Sequence, residues 1–235
     1  MEANIAVPAA LIGDPARAAM LQALFDGRAQ PATALAWAAG VSAQSASNHL
    51  AKLVAGGLLK VTVQGRHRYY RLASPEVAQA LEALALLGPP PRALVRPLDA
   101  RARRLREARS CYDHLAGRLG VALADAMEDG GLIEPDGPDR YRLTDLGRER
   151  LAALGVDLSP HRTGRRGPLR PCLDWTERRR HLAGPLAARL MTRLMDLGWL
   201  RRTSPDRGLL LTPAGHAGLR DALRLDLADA AVAAA

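Results

Sequence analysis

Residues Val41 to Leu72 read VSAQSASNHLAKLVAGGLLKVTVQGRHRYYRL, and this stretch decides the fold of the N-terminal part of the chain. At helical spacing its first half has an apolar face, formed by Ala43, Ala46, Leu50 and Leu53. A second face carries a polar row spaced four residues apart, formed by Gln44, Asn48 and Lys52. Ser42 stands at the N-cap position, and Gly56-Gly57 ends the segment. We therefore predict a helix of about three to four turns, with one face for packing and one for contact.

A basic β-hairpin is predicted directly after this helix. Leu59 to Val63 has strand character, Gln64-Gly65 forms a turn, and Arg66 to Leu72 returns with three arginines. A polar-faced helix followed by a basic hairpin is the layout of a winged helix-turn-helix. In that fold the helix enters the major groove of DNA, and the hairpin contacts the flanking backbone or the minor groove.

Four spaced motifs resemble a known family. They are Asp14-Pro15-x-Arg17, Leu35-Ala36-x-Ala38-x-Gly40-Val41-Ser42, Ser47-x-His49-Leu50-x-x-Leu53-x-x-x-Gly57-Leu58 and Gly65-Arg66-x-x-Tyr69-Tyr70-x-Leu72. With them, the part of the chain from residue 4 to residue 88 resembles the ArsR family of bacterial repressors. The resemblance implies a winged-helix DNA-binding domain and a homodimer to which the helix after Ser74 contributes. Many metal-sensing relatives carry cysteines in the helix that corresponds to Thr33 to Trp37, which has none, so no metal site is predicted there.

Composition is that of a globular, strongly basic protein. The chain has 235 residues, of which 48% are hydrophobic and 24% charged, and its net charge of +9 favours polyanionic partners. Aromatic residues make up only 3%, which argues against an RNA-stacking surface. The sequence shows no membrane-length apolar run and no basic segment ahead of its first apolar stretch. Its two cysteines are too few for a disulfide framework, so we expect a cytoplasmic protein.

The run Gly88-Pro89-Pro90-Pro91 marks the clearest domain boundary, because three successive prolines cannot continue a helix. We predict a mainly α-helical chain with small β-hairpins. Its predicted parts are a winged helix-turn-helix domain at 1–88, winged-helix-like units at 92–157 and 172–235, and a linker at 158–171. The Arg-rich run from Arg96 to Arg109 is interpreted as the solvated face of a helix, with contact to phosphate as the alternative.

An internal repeat is the basis for the two later units. His114-Leu115-Ala116-Gly117-x-Leu119 recurs as His181-Leu182-Ala183-Gly184-x-Leu186, and Leu143-Thr144-x-x-Gly147-x-x-x-Leu151 recurs as Leu211-Thr212-x-x-Gly215-x-x-x-Leu219. Each copy predicts a long helix, a hairpin and a Thr-capped helix. Because neither copy has the polar helix face of the first domain, dimerisation or effector binding is assigned to both.

The leading hypothesis is an effector-responsive repressor that binds operator DNA as a homodimer, since one helix reads too few bases for specificity. The candidate DNA contacts are Ser42, Gln44, Ser45, Ser47, Asn48, His49, Lys52, Arg66 and Arg68. The sequence lacks Gly-x-Ser-x-Gly, a phosphate-binding glycine loop and His-Glu-x-x-His. No enzyme activity and no cofactor are therefore predicted.

A candidate effector pocket is predicted in the repeat region, and its residues are Cys111, Tyr112, His114, Cys172, Trp175 and His181. The first Cys-His pair, three residues apart, is interpreted as sharing one helical face. The second pair is nine residues apart, which indicates that repetition alone does not explain the thiols. If the copies pack about a pseudo-two-fold axis, both histidines approach one groove that would accept a small molecule.

Other interpretations of these residues stay open. They are structural packing, a thiol- or metal-responsive sensor, and an enzyme or binding protein that uses the Cys111/His114/Cys172/His181 region. Thiolate and imidazole groups suit a soft or borderline metal, although no residue is assigned as a metal ligand.

Overall fold

The computed structural model describes residues 4–89, 100–159, 167–203 and 206–223. The chain divides into two compact units, Met1–Gly88 and Pro89–Ala235, and the division falls at the start of the proline run. Within the described ranges, no helix has both the length and the apolar character needed to cross a membrane.

The first unit combines five helices with a small antiparallel sheet. Its helices are α1 (Ala6–Ile12), α2 (Pro15–Ala23), α3 (Ala32–Ala39), α4 (Ala43–Ala55) and α5 (Pro75–Leu87). Its strands are β1 (Gln30–Pro31), β2 (Leu59–Gln64) and β3 (His67–Leu72), which pair in the order β1-β3-β2. The helix-turn-helix is formed by α3 and α4, and the hairpin of β2 and β3 is the wing.

Local sequence signals explain where these helices begin. The side chains of Asp14, Ser42 and Ser74 each accept a hydrogen bond from a backbone N–H three residues further on. The predicted N-cap at Ser42 is thus confirmed, and Asp14 and Ser74 cap α2 and α5 in the same way. Gly40 ends α3 with φ 64, a left-handed conformation that glycine adopts at little cost. On the predicted apolar face of α4, Ala46, Leu50 and Leu53 are buried, whereas Ala43 in the first turn is exposed.

The second unit begins with α6 (Ala100–Glu107) and then shows the order hairpin, helix, hairpin, helix twice. The first series is β4 (Arg109–Cys111), β5 (His114–Ala116), α7 (Gly117–Asp129), β6 (Ile133–Pro135), β7 (Tyr141–Leu143) and α8 (Asp145–Ala153). The second series is β8 (Arg170–Leu173), β9 (Arg180–Ala183), α9 (Pro185–Asp196), β10 (Leu200–Arg202), β11 (Leu209–Leu211) and α10 (Pro213–Leu223). Each hairpin is antiparallel.

Both series share one hydrophobic core, to which α7 contributes Leu123 and Met127 and α9 contributes Leu190 and Leu194. The predicted threonine caps are confirmed, because Thr144 and Thr212 accept hydrogen bonds from the N–H groups of Gly147 and Gly215.

Two predictions for this unit are wrong. Cys111 and His114 lie on two strands joined by a tight turn and not on one helical face, because α7 begins only at Gly117. Gly117, the first residue of α7, has φ 79, a left-handed conformation through which an α-helix does not continue. A Cβ at this position would lie 2.7 Å from the Arg106 carbonyl oxygen, so only glycine fits there. The Arg-rich run is also not solvated throughout, since Arg109 is only 2% exposed and pairs with a buried carboxylate.

Candidate nucleic-acid interface and candidate metal centre

Helix α4 packs into the first unit through Ala46, Leu50 and Leu53, and its polar face is exposed to solvent. The exposed candidates on and beside it are Ser42, Gln44, Ser47, Asn48 and Lys52. Ser45 and His49 are half-buried. His49 Nδ1 lies 3.8 Å from a carboxylate oxygen of Asp14, the N-cap of α2, which is beyond hydrogen-bond distance.

The wing is strongly basic. Arg66, Arg68 and Arg71 are all exposed, and the hairpin turns at Gly65 as predicted. The base of the wing is anchored by buried Tyr70, which pairs with Gln30 of β1. Between Asp26 and Glu76 the sequence has no acidic residue, so every Lys and Arg of α4 and the wing lies in a segment without acidic side chains of its own.

In the second unit, two thiols and two imidazoles converge on one point. Cys111, His114, Cys172 and His181 each present a ligand atom, and all four atoms lie within 4.8 Å of one another. Cys111 is directly opposite His114 in one hairpin, and Cys172 is directly opposite His181 in the other. The two Cys-His pairs therefore occupy matching cross-strand positions, although the turns between their strands differ in length.

The two imidazole rings meet through their Nε2 atoms, and each has a carboxylate near its Nδ1. His114 Nε2 and His181 Nε2 face each other at 3.2 Å. His114 Nδ1 is hydrogen-bonded to the Asp113 carboxylate at 2.8 Å, whereas His181 Nδ1 lies 3.6 Å from the Asp174 carboxylate and has no hydrogen-bond partner among the described residues. The hydrogen bond to Asp113 favours the proton on His114 Nδ1 and leaves His114 Nε2 with a free lone pair, as in the carboxylate-histidine pairs of metal sites.

A neighbouring thiol and burial shift the pKa of one of the two cysteines. Cys111 is buried, Cys172 is half-buried, and neither is in a disulfide. The neighbouring Cys172 thiol and burial raise the pKa of Cys111 to about 11. Burial alone would lower the pKa of His114, but Asp113 and Cys111 raise it overall.

A buried ion pair supports the cluster from one side. Asp174 is 1% exposed and accepts hydrogen bonds from Arg109 Nη2 at 2.8 Å, the Gly117 N–H at 2.7 Å and Thr176 Oγ1 at 2.7 Å. Burial alone would raise the pKa of Asp174, but the Arg109 charge and these hydrogen bonds hold it well below its usual range. The ionised carboxylate thus connects β4, the start of α7 and the turn after β8.

Arg109, Asp113 and Asp174 are not among the site residues predicted from the sequence. A signal for the two carboxylates exists, because Cys-x-Asp occurs in both copies, as Cys111-Tyr112-Asp113 and Cys172-Leu173-Asp174. Arg109 is paired with Asp174 across 65 positions, and nothing local to either residue indicates it.

The two aromatic residues of the predicted pocket contact arginines. The Arg207 guanidinium lies 5.5 Å from the ring centre of Tyr112, and that of Arg109 lies 5.1 Å from the ring centre of Trp175. Tyr112 has φ 63, as the turn between Cys111 and His114 requires. The space that the four ligand atoms enclose suits a single ion better than an organic molecule.

Some known proteins match nearly the whole chain, and others match only part of it. The family model for a helix-turn-helix domain matches residues 12–62. The chain is 37% identical over 215 residues to the uncharacterized HTH-type transcriptional regulator YdfF of Bacillus subtilis, covering 92% of this chain and 95% of that protein. It is also 40% identical over 73 residues to the HTH-type transcriptional regulator CmtR of Mycobacterium tuberculosis, covering 31% of this chain and 61% of CmtR.

Among solved structures, the chain is similar to the homodimeric winged helix-turn-helix DNA-binding domain of Mb0332 from Mycobacterium bovis. The sequence identity is 26%, the match covers 35% of this chain and 76% of that one, and the TM-score is 0.33.

Proposed function

This chain belongs to the HTH-type transcriptional regulators, and from that premise we propose that it binds operator DNA as a homodimer through α4 and the wing. Its first unit is the ArsR-type winged helix-turn-helix that the sequence motifs predict. The observation that supports the proposal best is the exposed polar row of α4, which lies opposite the buried residues Ala46, Leu50 and Leu53. The basic wing follows directly after this helix in the chain.

The proposed contacts divide into two kinds. Gln44, Ser47 and Asn48 face solvent on α4 and are assigned to base edges, because amide side chains form paired hydrogen bonds with adenine in the major groove. The remaining residues are assigned to phosphates and to positioning of the helix, and they are Ser42, Ser45, His49, Lys52, Arg66 and Arg68.

We expect the double substitution Arg66→Ala with Arg68→Ala to weaken binding to every DNA sequence. The slope of log affinity against log salt should fall by about 0.9 for each phosphate that is no longer neutralised, because fewer counterions are released. The measurement is fluorescence anisotropy with the upstream region of the gene and with a random duplex at several salt concentrations. Arg148→Ala with Arg220→Ala removes the same charge from exposed positions of the second unit and is the matched control. An equal change of slope in both double variants would contradict the assignment of the wing.

Apolar residues on the surface of the first unit support the dimer. Leu84 and Leu87 of α5 are 47% and 84% exposed, and Ile5 and Val7 at the start of α1 are also exposed. An apolar face of this kind on a regulator that reads two half-sites is a candidate for burial against a second copy.

We expect Leu84→Glu with Leu87→Glu to convert the dimer to a monomer at micromolar concentration, since the dimer would have to bury two carboxylates per chain in an apolar contact. Light scattering coupled to size exclusion measures the mass. The matched control is Leu146→Glu with Leu210→Glu, two exposed leucines of the second unit. A dimer that persists in the α5 variant would place the interface elsewhere.

We further propose that residues 92–157 and 172–235 are two degenerate winged-helix-like units that make operator binding respond to an effector, as in a repressor. The repeated order of elements and the paired threonine caps support a duplication. Residues 160–166 of the linker between them lie outside the described part of the chain.

A further inference from the structure

We propose that the second unit binds one Zn²⁺ through Cys111 Sγ, His114 Nε2, Cys172 Sγ and His181 Nε2, and that this ion joins the hairpin β4–β5 to the hairpin β8–β9. The site lies in the second unit, and its existence does not depend on whether the first unit binds DNA.

The donor set selects the metal. Two thiolates and two imidazoles form the Cys₂His₂ set of structural zinc sites, whereas Mg²⁺ and Ca²⁺ prefer oxygen ligands. Cys111, His114 and His181 are buried, and Cys172 is half-buried. Because protein atoms supply all four positions, the site is closed in the manner of a structural ion and keeps no position for a substrate.

The distances agree with tetrahedral coordination. Zinc bonds of about 2.05 Å to nitrogen and about 2.3 Å to sulfur place two nitrogens about 3.3 Å apart and two sulfurs about 3.8 Å apart. The two Nε2 atoms are 3.2 Å apart, and no pair among the four ligand atoms exceeds 4.8 Å. Side-chain shifts of about 1 Å or less would therefore complete the site.

The surroundings of the two histidines supply a second observation. The hydrogen bond of His114 Nδ1 to the Asp113 carboxylate, at 2.8 Å, leaves the His114 Nε2 lone pair directed at His181 Nε2, which is 3.2 Å away. His181 is 1% exposed, and its Nδ1 lies 3.6 Å from the Asp174 carboxylate without a hydrogen-bond partner in the described part of the chain. A metal ion bound to both Nε2 atoms would place the proton of each imidazole on Nδ1, next to a carboxylate.

The same three residue types occur in each hairpin. Each supplies a cysteine, an aspartate two positions later, and a histidine directly opposite the cysteine. Packing of a small thiol in a core does not require an imidazole opposite each cysteine, nor the meeting of both pairs within 4.8 Å. A metal site requires both features, so the repeated arrangement favours coordination.

The test begins with the full-length wild-type chain and needs no variant. We expect the purified protein to contain about one zinc per chain by elemental analysis. After removal of zinc with a chelator, Co²⁺ should bind with the same stoichiometry and give the intense visible absorption of a tetrahedral site together with thiolate charge-transfer bands. Zn²⁺ should then displace Co²⁺ and abolish both signals.

Variants assign the ligands. Cys172→Ser and His114→Gln should each weaken Zn²⁺ binding by about 100-fold or more, and Asp113→Asn should weaken it by about 10- to 100-fold, since outer carboxylates tune metal affinity. His216→Ala replaces an exposed histidine of α10 and should bind Zn²⁺ like the wild type. Circular dichroism of each variant reports whether it is folded.

Two results would overturn the proposal. One is a folded wild-type chain that takes up neither Zn²⁺ nor Co²⁺ at stoichiometric concentration under reducing conditions. The other is a Co²⁺ spectrum without thiolate bands, or one that Cys172→Ser leaves unchanged in a folded protein. Both readouts are independent of DNA, so failure of the proposed operator binding would be seen separately.

Discussion

Replacing Asp174 with alanine destabilises the second unit by about 3–5 kcal/mol, because the substitution leaves the Arg109 guanidinium buried without its counter-charge. The same change removes the acceptor of the Gly117 N–H at the start of α7. The measurement is denaturant unfolding followed by circular dichroism, in which we expect an early transition that the wild type lacks.

Asp125→Ala is the matched control for this variant. Asp125 also pairs with an arginine of the second unit, Arg179 at 2.8 Å, but the two side chains are 41% and 63% exposed. A surface ion pair of this kind contributes about 0–1 kcal/mol, so the control should unfold like the wild type.

A double-mutant cycle separates the ion pair from other effects of the substitution. Adding Arg109→Met to Asp174→Ala removes the unpaired charge, so the double variant should be more stable than the sum of the two single losses predicts. Additive losses would show that Arg109 and Asp174 do not stabilise each other. The experiment should be run with and without added Zn²⁺, since the burial of Arg109 does not depend on a metal.

The first unit follows closely from its sequence because the deciding signals are local. Asp14, Ser42 and Ser74 each cap a helix within three residues, and Gly65 sets the turn of the wing. The polar row of α4 could likewise be located by counting along one helix. The proximity of His49 to Asp14 could not be predicted, because the two residues belong to different helices.

The cluster of Cys111, His114, Cys172 and His181 could be predicted only in part. The sequence repeat indicates that the two histidines approach each other, and the structure places their Nε2 atoms 3.2 Å apart. A separation of three residues, however, fits one face of a helix as well as two strands around a two-residue turn, so Cys111 and His114 alone do not distinguish them. Strands of three or four residues are too short to show an alternating pattern, which is why β4, β5, β8 and β9 could not be predicted.

The second large effect is expected from substitutions in the polar row of α4, and it concerns discrimination between operator and random DNA. We expect Gln44→Ala with Asn48→Ala to weaken operator binding by about 1–3 kcal/mol for each base that is no longer read. Binding to random DNA and the salt slope should stay close to wild type, because both are determined by phosphate contacts. The measurement is competition between the operator and a random duplex at fixed salt.

Two controls distinguish a loss of base reading from a general loss of DNA binding. Gln79→Ala replaces an exposed glutamine of α5 and should leave both affinities unchanged. Arg66→Ala with Arg68→Ala should lower both affinities together, so the ratio of operator to random binding separates base reading from charge. If Gln44→Ala with Asn48→Ala lowered both affinities equally and kept the ratio, the exposed row of α4 would be a backbone contact, and sequence would have to be read by another part of the first unit.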